Sequence, residues 1–303
     1  MNKCKKQKSV RWIVLIIIII VTAAGIWYLF QTFGNGKYLR NRLDIGGNGN
    51  VETLKRLNGE WILPEDYSLE IKEVDGIIME WIQAKNTKPD KTILQLHGGA
   101  YNRSLKDNGT TYRRAAVQYA RISGAGVLTV DYRVAPKHPY PAALEDAVLA
   151  YNWLLEQGYR AEQIIIAGDS AGGGLTLATA LYLRDHDMPM PAALITMSAW
   201  TNLNYRRWVP DYVGGNDADI PYISPINGQY NDFPPMLMQA GGDEALLNDT
   251  VKVAQKAEAA GVSVQQKIYG GMFHVFQMLF PELSDANAAW DEIEAFIKDI
   301  YPE

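Results

Sequence analysis

The chain reads as an α/β protein with a mostly parallel central sheet and helices on both of its faces. Three observations carry that reading. Short apolar runs alternate with amphipathic stretches through most of the 303 residues. A hairpin signal stands in front of the alternation. One of the runs, Ile164-Ile165-Ile166-Ala167, leads directly into Gly168-Asp169-Ser170-Ala171-Gly172, a pattern suited to a sharp turn from strand to helix. Parallel strands buried on both faces read as continuous apolar segments, as these runs do.

Taken in order, the chain opens with a basic tail, residues 1–11, holding Lys3, Lys5, Lys6, Lys8 and Arg11 and no acid. From Trp12 to Phe30 there follow nineteen residues without a charge, with Ile16 to Ile20 unbroken. As a helix they would reach roughly 28 Å, about the thickness of a hydrocarbon core. The expectation is a single transmembrane anchor over 12–30. Its basic flank would stay in the cytoplasm and the remainder would be exported. Trp12, Trp27 and Tyr28 sit near the two ends, where amphipathic rings favour the interface. The rival reading is a signal peptide cleaved after Val21-Thr22-Ala23, which would release a secreted domain. Against it, the apolar run continues through Ile26 to Phe30.

Residues 31–58 form a tether, rich in glycine and asparagine, with a short helix expected over Val51 to Asn58 that would contribute to a cap. The rest, 59–303, is one catalytic-sized α/β domain. It begins with Ser68 to Val74 and Ile77 to Ile82 around Asp75-Gly76, a strong hairpin turn. Buried strands are then expected at Thr92 to Leu96, Gly126 to Val130, Ile164 to Ala167, Ala193 to Met197, Met236 to Gln239 and Val264 to Ile268. Amphipathic helices are expected at Ala142 to Glu156, Asp249 to Ala260 and Asp285 to Ile300.

Composition narrows the function. The chain holds 29 basic and 34 acidic residues, five of the basic ones in the tail, so the remainder carries a net −10. That balance argues against nucleic acid as a partner. The single cysteine, Cys4, excludes an intramolecular disulfide and a cysteine-based metal site.

The G-x-S-x-G turn lifts a serine hydroxyll into a cleft, with glycines where side chains would collide with the neighbouring strand. Ser170 is therefore the candidate nucleophile. A serine of this kind is partnered, in chain order, by an acid and then a histidine. Of four histidines, only His274, in Gly270-Gly271-Met272-Phe273-His274, follows a late strand with an acid upstream. The acid lies in Gly241-Gly242-Asp243-Glu244. Asp243 is the first choice and Glu244 the second. Attack on an acyl carbon also requires N–H donors for the developing oxyanion. Ala171 offers one, and the glycine-rich His97-Gly98-Gly99-Ala100 after an earlier strand offers the others.

Together with Asp131-Tyr132-Arg133-Val134-Ala135-Pro136-Lys137-His138-Pro139-Tyr140-Pro141-Ala142, these motifs resemble the hormone-sensitive-lipase family of α/β-hydrolases. The resemblance runs from about residue 60 to the end. It implies a carboxylesterase acting on small, short-chain esters without metal or cofactor. It assigns Ser170, Asp243 and His274 as a triad, with Gly98, Gly99 and Ala171 around the oxyanion, and makes Asp131 to Ala142 a brace beneath the site. The arrangement of anchor and exported hydrolase also resembles the arylacetamide-deacetylase branch of that family, in layout only.

Two departures stand out. Ala100 occupies the place of a third glycine, a strained choice if the backbone there needs a positive φ. Only Asn204 to Pro210 remain where the family carries a longer cap segment, which implies a more open cleft. A catalytically vestigial binding module, and a lipase or deacetylase acting on lipid or glycan esters, are the competing functions. The aromatic residues Trp200, Tyr205, Trp208 and Tyr212 either line a pocket or simply pack.

Overall fold

The computed structural model describes residues 61–204 and 210–302. The expected anchor, tether and short helix over Val51 to Asn58 lie outside the described residues, as do Tyr205 and Trp208. No helix among the described residues is long and apolar enough to cross a membrane.

Eight strands form one sheet in the order β1-β2-β4-β3-β5-β6-β7-β8. The hairpin of β1 (Tyr67–Val74) and β2 (Ile77–Ala84) turns at Asp75-Gly76, both at positive φ, and β2 pairs antiparallel with β4. All remaining pairings are parallel, through β3 (Thr92–Leu96), β4 (Gly126–Val130), β5 (Ile164–Asp169), β6 (Ala193–Met197), β7 (Met236–Gly241) and β8 (Val264–Tyr269). β3 to β7 are buried throughout, which is why they read as unbroken apolar runs. β8 does not fit the expectation of a buried strand. It closes the sheet as an edge, with Gln265, Lys267 and Ile268 exposed, and its Val-Gln-Gln-Lys-Ile-Tyr sequence suits a half-solvated position.

Successive side chains on the strands point to opposite faces, and each face has its own helices. α1 (Leu105–Ser123) and α6 (Ser284–Ile300) cover Ile93, Val127, Ile165 and Ile195, burying Tyr112, Tyr119, Trp290 and Ile293 there. α2 (Ala142–Glu156), α3 (Ser170–Asp185) and α4 (Leu247–Ala259) cover Leu94, Leu128, Ile166 and Leu194 on the other face. A single turn, α5 (Phe276–Leu279), precedes α6. Among the described residues, α1 is the long helix that the periodicity does not announce. Asn108-Gly109-Thr110-Thr111 near its start reads as a breaker, yet the helix is framed at both ends. The Ser104 N–H donates to Asp107 Oδ2 at 3.2 Å, and Gly124 takes the left-handed conformation that ends it.

This order places the C-terminal ends of β3, β5, β6, β7 and β8 along one rim of the sheet. In an open parallel sheet the crevice outside those ends is where ligands bind.

Candidate active site

The centre of the rim is the turn from β5 into α3. Ser170 sits there at φ +50, a left-handed conformation that costs a non-glycine residue roughly 1–2 kcal/mol. The turn is tight because its neighbours lack side chains. A Cβ on Gly172 would lie 2.0 Å from the Leu96 carbonyl oxygen, and one on Gly168 would lie 2.3 Å from the Gly172 carbonyl oxygen. The apolar strand therefore ends by presenting one hydroxyl at the sheet edge.

The loop after β8 brings His274 against it, with Nε2 2.9 Å from Ser170 Oγ. On the far side of the ring, Nδ1 lies 3.6 Å from Glu244 Oε1. Neither of those atoms has a hydrogen-bond partner among the described residues, so each is left facing the other. The other carboxylate oxygen, Oε2, accepts the Ser198 hydroxyl at 2.6 Å and the Gly241 N–H at 2.9 Å. Ser198 Oγ in turn accepts the Val275 N–H at 3.0 Å. Glu244 is thus held on two sides, and the residue after His274 is tied to the same serine. Ser198, at the end of β6, was not singled out in the sequence because a lone Ser-Ala-Trp after a strand carries no recognisable pattern.

The first choice for the acid, Asp243, is corrected by this geometry. The Gly242 N–H donates to the Tyr269 oxygen and the Asp243 N–H to the Met272 oxygen, at 2.7 and 2.9 Å. That pairing extends the strand-like contact beyond β7, turns the Asp243 side chain to solvent and buries Glu244.

One expected oxyanion donor, Gly98, has its N–H engaged elsewhere. Gly98 lies buried beneath the cleft, and its N–H is taken by the Tyr112 hydroxyl oxygen at 2.7 Å and Asp169 Oδ1 at 3.1 Å. A Cβ on Gly98 would stand 2.4 Å from Asp169 Oδ2, so glycine there serves close packing. Gly99 and Ala100 instead line the open cleft, which has a volume of about 430 Å³ and also contains Ser170, His274, Thr111 and Met278. Ala100 has φ +55 and is exposed, so the substitution for glycine carries the steric strain the sequence warned of. Ala171, in the first turn of α3, has an N–H without an intrahelical carbonyl to meet.

The Asp131 to Ala142 segment braces this loop. Tyr132 donates its hydroxyl to the His97 carbonyl at 2.5 Å and stacks on the His97 ring at 3.9 Å. Asp131 accepts the Leu105 N–H at the start of α1 at 2.7 Å, and Arg133 pairs with Asp146 at 2.7 Å. Trp200 and Tyr212 are packing residues: both are buried, and Tyr212 stacks on Tyr101 at 3.8 Å.

Two buried groups beneath the loop, Asp169 and His97, are shifted in opposite directions. Burial pushes the Asp169 carboxyl up to about 6, although the nearby His274 charge, the Tyr112 hydroxyl and the Gly98 N–H pull the other way. Burial pushes the His97 imidazole down to about 4 against the Gly98 carbonyl. Between about 4 and 6.5 the unfolded chain holds more protons at His97 than the folded one, so stability rises with pH there. At Asp169 the folded chain holds more protons between about 4 and 6, so stability falls. Each effect amounts to about 3 kcal/mol when complete, and the two nearly cancel. Asp169→Asn removes the second. Relative to wild type, the variant's unfolding free energy is expected to gain about 3 kcal/mol between pH 4 and 6.5. Urea midpoints across that range measure it, and a constant difference would contradict the raised carboxyl of Asp169.

Comparison with known proteins bears on the fold and the family. A family model described as the α/β-hydrolase fold matches residues 93–278. The chain is 34% identical to an acetyl-hydrolase of Streptomyces hygroscopicus over 239 residues, covering 72% of this chain and 79% of that protein. It is 33% identical over 253 residues to an esterase of Acinetobacter venetianus, covering 75% and 82%. A crystal structure of an esterase from the bacterial hormone-sensitive lipase family superposes with a TM-score of 0.73 at 31% identity, covering 87% of this chain and 95% of that one.

Proposed function

The chain belongs to the hormone-sensitive-lipase family of α/β-hydrolases and is a serine hydrolase of carboxylic ester bonds; from that premise we propose that it cleaves short-chain acyl or acetyl esters through an acyl-enzyme on Ser170. The observation that carries this reading is the 2.9 Å contact between Ser170 Oγ and His274 Nε2 at a strained strand–helix turn.

In the proposed reaction His274 Nε2 takes the Ser170 proton as Oγ bonds to the ester carbonyl carbon. The carbonyl oxygen becomes an oxyanion received by the N–H groups of Gly99, Ala100 and Ala171. Glu244 holds the ring with its Nδ1 proton inward and stabilises the imidazolium. The 3.6 Å separation is loose for that task, but such contacts commonly tighten as the reaction proceeds. Collapse of the intermediate breaks the bond to the alcohol oxygen, which leaves with the proton from Nε2. Water, deprotonated by the same nitrogen, then attacks the acyl carbon and returns Ser170.

The short 204–210 segment favours an open cleft with little apolar wall for a long chain. Each methylene left unburied forfeits roughly 0.8 kcal/mol. On p-nitrophenyl esters the full-length protein is therefore expected to reach its highest kcat/KM at about four carbons or fewer. A value still climbing beyond about eight carbons would favour a true lipase instead.

The proposed setting is a membrane, with 12–30 as the anchor and the catalytic domain on the extracytoplasmic side. The basic tail and the length of the apolar run support it. Protease added to intact cells should digest the domain and spare the Lys3 to Arg11 end. An intact domain under those conditions would refute that orientation.

A further inference from the structure

Behind one wall of the cleft lies a second, separate space. It is a cavity of about 160 Å³ between α1, α5 and α6, with Trp61, Val117 and Trp290 on its apolar side and, in about equal measure, polar groups that include Arg114, Gln277 and Asn287. Its solvent side carries the half-exposed Gln118 and the exposed Arg121. Two residues, Thr111 and Met278, line both this cavity and the cleft that holds Ser170 and His274. They form the partition between the two. Met278 also borders a third, very small void beneath Asp169 and Met197. Three empty spaces thus converge on a single methionine that is itself 8% exposed. Close packing is the rule in protein interiors, and an unbranched thioether is the side chain that most readily fills or vacates an irregular gap.

The reaction chemistry decides which part of an ester points this way. The alcohol must depart, and water must enter, while the acyl group stays bonded to Ser170. The alcohol therefore belongs at the open mouth. The acyl group is then left to the part of the cleft lined by the buried Asp169 and Met278 and the half-buried Thr111. We propose that Met278, with Thr111, sets the acyl-chain length by ending the acyl arm of the cleft. The cavity behind it is a dormant continuation of that arm, able to take the apolar tail of a medium-chain acyl group once the partition is cut back. Its volume alone matches a space of about 150 Å³ that admits a benzene-sized group, so several methylenes can lie along its apolar side, against Trp61, Val117 and Trp290. This inference rests on the acyl-enzyme reading above and names the residue that selects its substrate.

The test compares full-length wild type, Met278→Ala and Thr111→Ala on p-nitrophenyl acetate to decanoate, which share one alcohol. Each added methylene that reaches the cavity is worth about fourfold in kcat/KM. The octanoate-to-acetate ratio should rise about tenfold or more in Met278→Ala. It should move in the same direction, by less, in Thr111→Ala, whose half-buried side chain is the milder truncation. Adding Gln118→Trp, which fills the cavity from its solvent side, should reverse the gain. A series of acetate esters differing only in the alcohol should keep its order in every variant. The proposal is overturned if both truncations fold and turn over acetate with an unchanged acyl profile. It is also overturned if the alcohol order shifts instead, or if the gain survives Gln118→Trp. Wild type that turns over no ester would strike the acyl-enzyme reading, a result distinct from an unmoved profile.

Discussion

Ser170→Ala is expected to lower kcat for p-nitrophenyl acetate by about 10⁶-fold, close to complete loss, because among the described residues Ser170 is the hydroxyl that His274 Nε2 meets. Stability should change little, or rise. Among the described residues, the hydrogen bond lost with the hydroxyl is the one to the His274 ring. The φ of +50 is imposed by the turn and not by the serine side chain, so alanine inherits the same strain. Any residual rate over water would come from the oxyanion donors and from binding, which the substitution leaves in place. Thermal unfolding and far-ultraviolet circular dichroism separate loss of chemistry from loss of fold. A folded variant that retains a tenth or more of the wild-type rate would remove Ser170 from its role.

Much of this arrangement was legible in the chain, for reasons that can be traced to particular residues. Ile164 to Ala167 is unbroken because β5 lies in the middle of the sheet, buried on both faces. Gly168 and Gly172 are required by carbonyl oxygens that would lie within 2.3 Å of a Cβ. Those two constraints are local, and a linear reading captures them. What it misses depends on contacts between distant segments. Helix α1 is held by packing of Tyr112, Tyr119 and Ala116 on the sheet, which overrides the weak propensity of Asn108 to Thr111. Gly98 looks like an oxyanion donor until Tyr112 and Asp169, 14 and 71 residues away, take its N–H. The glycine at that position answers to Asp169 and not to a substrate. β8 carries the opposite lesson. Its polar Gln265-Gln266-Lys267 stretch was visible, but only the strand order shows that it is an edge.

The choice between two adjacent carboxylates is the sharpest case, and it yields the second large expected effect. Glu244→Gln should lower kcat by about 10⁴-fold, the scale seen when an amide replaces a triad carboxylate and leaves the imidazole in the wrong tautomer. Asp243→Asn should stay within a few-fold of wild type. The two residues are neighbours of like charge, and sequence context alone leans toward the aspartate. Burial separates them. Asp243 is exposed, and its backbone N–H is committed to Met272. Glu244 has a fully buried side chain, with Oε2 fixed by Ser198 and the Gly241 N–H and Oε1 turned toward His274. A buried carboxylate with one oxygen tied down and the other facing an imidazole suits the task of holding that ring. The longer side chain is needed because the strand-like pairing after β7 points residue 244, not 243, into the protein. Glu244→Asp sharpens the test. It keeps the charge but shortens the reach, so activity should fall well below wild type while exceeding that of Glu244→Gln. A greater loss in Asp243→Asn than in Glu244→Gln would mean that the exposed carboxylate, not the buried one, orients His274.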